Sequence, residues 1–242
     1  MSKPKMPKVL IILTSQSRIP STGSPTGWYL PELAHPYEIM TGKATLTIAS
    51  PSGGEAPLDP NSVQMSQSQG DTAATTFLAT RKEVWQRTVP LSEIVGKEGD
   101  FEAVFFVGGH GPMFDLTSHA TSLSIIQSFA AARKPVAAVC HGPAALVNAT
   151  APTGTPLLQS ASVTGFSNEE EEQVGMASVM PFQLETELNR VSGGGYVKAE
   201  QAWGEKVVVS KTAQLGGALI TGQNPASASG VAREVLRAVG LS

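Results

Sequence analysis

Cys140 is the only cysteine in the chain, and His141 follows it directly in the stretch KPVAAVCHGPAALV, Lys134 to Val147. The apolar run before the thiol reads as a strand, and GPAALV after it reads as the opening of a helix. A strand–turn–helix aims the first helical N–H groups at the turn residue. Those donors and the helix dipole favour a thiolate over a thiol, so a lowered Cys140 pKa is expected. Ala137, Ala138 and Gly142 leave room for the tight backbone approach of a nucleophile elbow. The competing reading is a buried cysteine that fills a gap in the core.

The histidines narrow the chemistry. They are His35, His110, His119 and His141, and none follows His141. Glutamine amidotransferases, papain-like proteases and α/β-hydrolases place their histidine downstream of the nucleophile, so all three are excluded as drawn. The base is therefore His141 itself or a residue brought from upstream. A second glycine cluster, FFVGGHGPMFDL, supplies Gly108, Gly109 and Gly111, whose amides could form an oxyanion hole or merely end a strand. Gly109, His110 and Gly111 are the candidates for oxyanion or substrate contact there, with His110 read as a turn or orienting residue. No two histidines have metal-ligand spacing, so no metal is expected. Among the acids, Glu169 to Glu172 form a run that reads as a solvated helix start, with Ser167 and Glu170 as a capping box. Glu32 lies just after the first apolar run, at the same sheet edge as the thiol. The residues alone do not choose among these acids.

The elements that must position these groups are legible as alternation. KVLIILTS, ATLTIAS, EAVFFVGG, PVAAVC, SVTGF and GALITGQ are short apolar runs, several without polar alternation, as in strands buried on both faces. Helical patterns lie between them at 31–40, 72–88, 118–133, 143–149, 182–191 and 225–239, the last with Asn224 as its cap. The expectation is an α/β fold, a doubly wound, mostly parallel sheet with helices on both faces. Ligands bind such sheets at the carboxyl ends of the strands, where Cys140 falls. Residues 51–70 read as a long irregular loop, and 193–217 as a small edge hairpin made of YVKAE and KVVVS. One domain over 1–242 with insertions near these two segments is expected.

Composition sets outer bounds. Hydrophobic residues make up 41% and charged residues 15% of 242 residues, with a formal net charge of −3. That charge gives no argument for nucleic acid or an acidic membrane surface as a partner. No apolar stretch approaches the roughly 18 residues of a membrane span. The apolar start is too short for a secretion signal, and a single cysteine forbids an internal disulfide, so a cytosolic protein is expected.

AAVCHGPAAL, FFVGGHGPMFDL, TGWYLPELAHPY, VTGFSNEEEEQVG and LITGQNPASA together resemble, in order and over nearly the whole chain, the ThiJ/PfpI superfamily. The size and the Cys-His-Gly-Pro turn resemble its heat-shock-chaperone-like, glutathione-independent glyoxalases (glyoxalase III). The resemblance implies a flavodoxin-like fold of the class I glutamine-amidotransferase type. It implies Cys140 as nucleophile, His141 as general base, Glu171 as third member and Glu32 as the acid beside the thiol. Ala138 departs from the more frequent glycine of the elbow. The implied reaction converts methylglyoxal or a similar 2-oxoaldehyde to D-lactate or the matching 2-hydroxy acid. It runs through a hemithioacetal, with His141 moving a proton between the two carbons, and needs no cofactor. A homodimer in the cytoplasm, or the nucleus, completes the implication. The alternative is a stress-response chaperone or oxidant sensor whose Cys140 is oxidised to sulfinic acid, or a protein deglycase, each using the same thiol.

Overall fold

The structure, a computed structural model, describes residues 6–241. Its seven strands are β1 (Lys8–Ile12), β2 (Thr45–Ser50), β3 (Val89–Pro90), β4 (Ala103–Phe106), β5 (Val136–Val139), β6 (Val207–Lys211) and β7 (Ala218–Gly222). They form one sheet in the order β3-β2-β1-β4-β5-β7-β6. All pairs are parallel except β6 with β7. Every residue of β4 and β5 is buried. Successive strand side chains point to opposite faces, so helices and loops must cover both sides of the sheet. The helix α8 (Ala228–Ala238) packs on β5, β7 and α1 (Leu30–Met40), while α5 (Ala120–Ala131) packs on β4 and β5. The expected doubly wound α/β architecture is the one found. The chain winds outward through β2 and β3, then resumes at β4 on the other side of β1. The topological switch lies between β1 and β4, next to the end of β5, where such sheets bind ligands.

Several local expectations are corrected. Residues 51–70 are not one loop, because Pro60–Ser68 is helical (α2), capped by Asp59, whose side chain accepts from Asn61 N–H at 2.8 Å. Its polar sequence hid it. The residues it buries are Ser62 and Ser66, whose hydroxyls turn back onto the carbonyls of Asp59 and Ser62 at 2.6 and 2.8 Å. Hydroxyl back-bonding thus replaces the apolar stripe that marks an amphipathic helix. The 72–88 pattern is two helices, α3 (Thr72–Thr80) and α4 (Lys82–Gln86). YVKAE and KVVVS do not pair with each other: β6 runs antiparallel to β7, and Tyr196 only bridges Val163. SVTGF contributes that single bridge in place of a strand. The acidic run opens α6 (Asn168–Gln173), which precedes α7 (Leu184–Ser192). Asn224 makes no side-chain cap: its Oδ1 accepts from the Ser227 hydroxyl at 3.1 Å in place of a helix N–H. Its amide donates to Glu170 Oε1 and to the Gly204 carbonyl.

Candidate active site

Cys140 is the residue after β5, at φ +58° and 3% exposed. A left-handed backbone is uncommon for a side chain with a Cβ and persists only where neighbours over-determine it. They do so from both sides: Cys140 N–H donates to the Gly222 carbonyl at the end of β7, and Phe166 N–H donates to the Cys140 carbonyl, each at 2.9 Å. The turn leads into a five-residue 3-10 helix, Gly142–Leu146, rather than an α-helix.

Glu32 comes from the first turn of α1 and is fully buried. Its Oε2 accepts from Gly108 N–H at 2.9 Å. Its Oε1 has no hydrogen-bond partner among the described residues, and the Cys140 side chain is the titratable neighbour that most affects the carboxyl. Crowding explains the glycine between them: a Cβ on Gly108 would stand 2.6 Å from Glu32 Oε2 and 2.8 Å from Cys140 Cβ. Gly109 has φ +95°, with the Gly27 carbonyl 2.3 Å from where its Cβ would be, and its amide faces the Cys140 sulfur. Gly111 does not join this group. Its amide donates to the Gly27 carbonyl at 3.4 Å, and the Thr14 side chain fills the space its Cβ would need.

On the other side of the sulfur, His141 Nδ1 lies 3.4 Å from Sγ, and His141 Nε2 lies 2.6 Å from Glu171 Oε2. The second oxygen of the same carboxylate lies 2.8 Å from His110 Nε2. Glu171 therefore engages two histidines. An ionised carboxylate only accepts hydrogen bonds, so both imidazoles carry their proton on Nε2 and keep a lone pair on Nδ1. The His141 ring is wedged between His110 and Phe166, with centroids 4.3 and 4.4 Å away. Phe166 in turn meets Trp203 edge-on at 5.6 Å. Trp203 is itself left-handed at φ +66° and has its amide on Glu170 Oε1 at 2.8 Å. The sequence reading did not single out Phe166 or Trp203 as site residues.

The acidic run divides by role. Glu169 and Glu172 are exposed, whereas Glu170 and Glu171 are buried. Glu170 completes the expected capping box with Ser167, and its Oε1 gathers Trp203 N–H, Gln223 Nε2 and Asn224 Nδ2 at 2.8–3.0 Å. The solvated reading therefore fails for two of the four. Glu170 ties loops together, while Glu171 orients imidazoles. His110, His141 and Glu171 also place three possible metal-ligand atoms within 4.8 Å of one another, a proximity that spacing along the chain did not reveal. Both carboxylate oxygens are already taken by the imidazoles.

Electrostatics decides how the thiol can be activated. Burial and then the Glu32 charge push the Cys140 thiol well up, and the Gly109 amide pulls down without reversing this. The expected dipole-stabilised thiolate is thus corrected: the thiol is buried beside an acid, and only a short 3-10 segment comes after it. Burial likewise pushes Glu32 up to about 8, so it is a neutral acid below that pH. Burial lowers His141 against the opposing pull of Glu171, which keeps a neutral imidazole available as a base. Burial acts to raise Glu171, but His141 and His110 outweigh it and hold the carboxyl well below the usual range. A neutral thiol thus faces a neutral, oriented base.

The sequence pattern of the DJ-1/PfpI family matches residues 86–238. The chain is 29% identical over 241 residues to the glutathione-independent glyoxalase Hsp3101 of Schizosaccharomyces pombe, covering 95% of each chain. Among solved structures, it is similar to the Rapid Encystment Protein of Francisella tularensis, with a TM-score of 0.86 and 34% identity over 97% of this chain and 99% of that one. It is also similar to glyoxalase III from Candida albicans, with a TM-score of 0.78 and 27% identity over 96% and 97% of the two chains.

Proposed function

This chain belongs to the DJ-1/PfpI family, and from that premise we propose that it is a glutathione-independent glyoxalase. It converts methylglyoxal and related 2-oxoaldehydes to D-lactate or the matching 2-hydroxy acid, with Cys140 in the part that glutathione plays elsewhere. The observation that carries this reading is the chain of contacts from Sγ through His141 to Glu171 at 3.4 and 2.6 Å. His141 Nδ1 takes the thiol proton as sulfur adds to the aldehyde carbon C1, and returns it to the new alkoxide to give a hemithioacetal. The amides of Gly109 and His141 stabilise the developing oxyanion, since the Cys140 amide is already committed to Gly222. Neutral Glu32 supports the sulfur from its other side. Isomerisation of the hemithioacetal gives a thioester of the 2-hydroxy acid. Water, deprotonated by His141, then cleaves the thioester and restores the thiol. We place the enzyme in the cytoplasm, in keeping with its single unpaired cysteine, and carry over a homodimer from the resemblance.

The test is purified protein with methylglyoxal and no glutathione, following both substrate loss and the lactate enantiomer. Stoichiometric D-lactate in wild type, absent in Cys140→Ser, is expected. Substrate loss without lactate overturns the reading, because it reports only thiol scavenging.

A further inference from the structure

We propose that His110 is a second acid–base residue of this reaction, the one that carries the proton between the two substrate carbons. The inference rests on the glyoxalase reading above and gives to His110 the carbon-to-carbon proton transfer that the family resemblance implies for His141. Three observations lead to it. First, His110 Nε2 is bonded to Glu171 Oε1 at 2.8 Å, which makes Nε2 the donor, as in His141, and makes Nδ1 the basic nitrogen of the neutral ring. Among the described residues, no hydrogen bond engages that Nδ1. Second, a ring anchored at Nε2 turns its Nδ1 edge away from the carboxylate. The two rings stand side by side at 4.3 Å on one carboxylate, so both Nδ1 edges lie away from Glu171. Third, the His141 side chain is 1% exposed and committed to Sγ, whereas that of His110 is 16% exposed. Of the two imidazoles, His110 is therefore the one that solvent reaches, and a substrate bound to Sγ has to arrive from the solvent side.

The balance is internal. His110 Nδ1 removes the proton from C1 of the hemithioacetal. The C1–H electron pair forms C1=C2, and the C2 carbonyl pair moves onto its oxygen to give an enediolate. The C1 hydroxyl proton passes to the C2 oxygen, and a pair on the C1 oxygen forms the thioester carbonyl. The C1=C2 pair then collects the proton from His110 at C2. C1 is oxidised and C2 reduced by the same electron pair, so no external oxidant or reductant takes part.

His110→Gln separates this role from simple orientation, because the glutamine amide retains an N–H donor for Glu171 and lacks a base. Two rates are measured in wild type and variant: alkylation of Cys140 by iodoacetamide, and turnover of methylglyoxal with hydrogen or deuterium at C1. Alkylation is expected within about threefold of wild type, since it needs only the thiol and its oriented base. Turnover is expected to fall by about 10²–10⁴, the usual worth of a positioned acid–base group, with a larger C1 deuterium isotope effect than in wild type. Turnover within tenfold of wild type overturns the proposal, as does an equal fall in alkylation and turnover, which would make His110 a positioning residue for Glu171. A wild-type protein that makes no lactate overturns the glyoxalase reading itself, which separates that failure from this one.

Discussion

Changing Glu171 to Gln tests the site at the point where two imidazoles meet one carboxylate. The anion accepts from His141 Nε2 at 2.6 Å and from His110 Nε2 at 2.8 Å. A glutamine amide offers one acceptor oxygen and one NH2 donor, so it can satisfy only one of those N–H groups. The other ring must then move its proton to Nδ1 or face a donor with a donor. For His141, a proton on Nδ1 removes the lone pair that faces Sγ at 3.4 Å. Loss of a hydrogen bond to a charged group costs about 1.5–3 kcal/mol. A wrong tautomer in a serine-protease triad costs about 10⁴ in rate. Turnover of methylglyoxal by Glu171→Gln should therefore fall by about 10²–10⁴. That is far beyond what the accompanying drop in melting temperature of roughly 3–12 °C, worked from the same hydrogen-bond loss, would cause in a protein that stays folded at the assay temperature. The neighbouring variants give the contrast. Glu172→Gln, at an exposed position, should leave both quantities unchanged. Glu170→Gln disrupts a buried acceptor for Ser167, Trp203, Gln223 and Asn224, and should act through stability. A loss of about 1–3 kcal/mol, at about 2–4 °C per kcal/mol for a chain of this size, lowers its melting temperature by roughly 2–12 °C. Equal activity losses in all three variants, or more than a tenth of wild-type turnover in Glu171→Gln, would refute the assignment of Glu171.

The same geometry implies three further outcomes. Cys140→Ser should lose turnover yet keep its melting temperature within a few degrees; residual activity above a tenth of wild type, about 1.4 kcal/mol, is incompatible with a sulfur nucleophile. Because burial and Glu32 push the thiol up, the iodoacetamide rate should keep rising above pH 8 and show no plateau below neutrality. A plateau there would restore the dipole-stabilised thiolate. The Glu32 carboxyl is raised from 4.5 to about 8, so the folded state holds a proton that the unfolded state has released across that window. Stability should therefore decline with rising pH relative to Glu32→Gln, by at most about 1.4 kcal/mol per pH unit between those values. Parallel stability curves for the two proteins would count against a protonated Glu32.

The fold was legible where one physical signal dominated. Strands buried on both faces write continuous apolar runs, and Val9 to Leu13 or Ala103 to Val107 can be little else. The signal failed where polar atoms do the packing. Pro60–Ser68 folds back hydroxyls onto carbonyls and so carries no apolar stripe. The strand Val207–Lys211 was visible, but its partner was not, because adjacency in sequence suggested YVKAE when the sheet edge offers Ala218–Gly222. At the site, local order made Cys140 and His141 conspicuous. Glu171 and Glu32 became nameable only through the family resemblance, since a run of four acids looks the same whether two of them are buried or none. The second bond of Glu171, to His110, spans 61 residues of sequence and left no local trace.

The misjudged thiolate shows how closely activation depends on the segment C-terminal to the nucleophile. A full α-helix after Cys140 would aim several free amides at the sulfur, and those could stabilise an anion without a base. The five-residue 3-10 segment after Cys140 supplies little of this, and the acid placed against the sulfur opposes it. A buried thiolate beside an ionised Glu32 would put two like charges into a site with almost no solvent contact, so the pair retains protons at neutral pH. Reactivity then depends on moving the thiol proton at the moment of attack. That requirement accounts for the opposite treatment of the two acids. Glu32 is buried without a cation and stays neutral beside the sulfur. Glu171 is buried between two imidazole donors and stays ionised, which holds His141 with its lone pair toward the thiol. Two carboxyl groups flanking one Cys-His pair are thus driven to opposite protonation states by their partners, and the base-assisted route needs both.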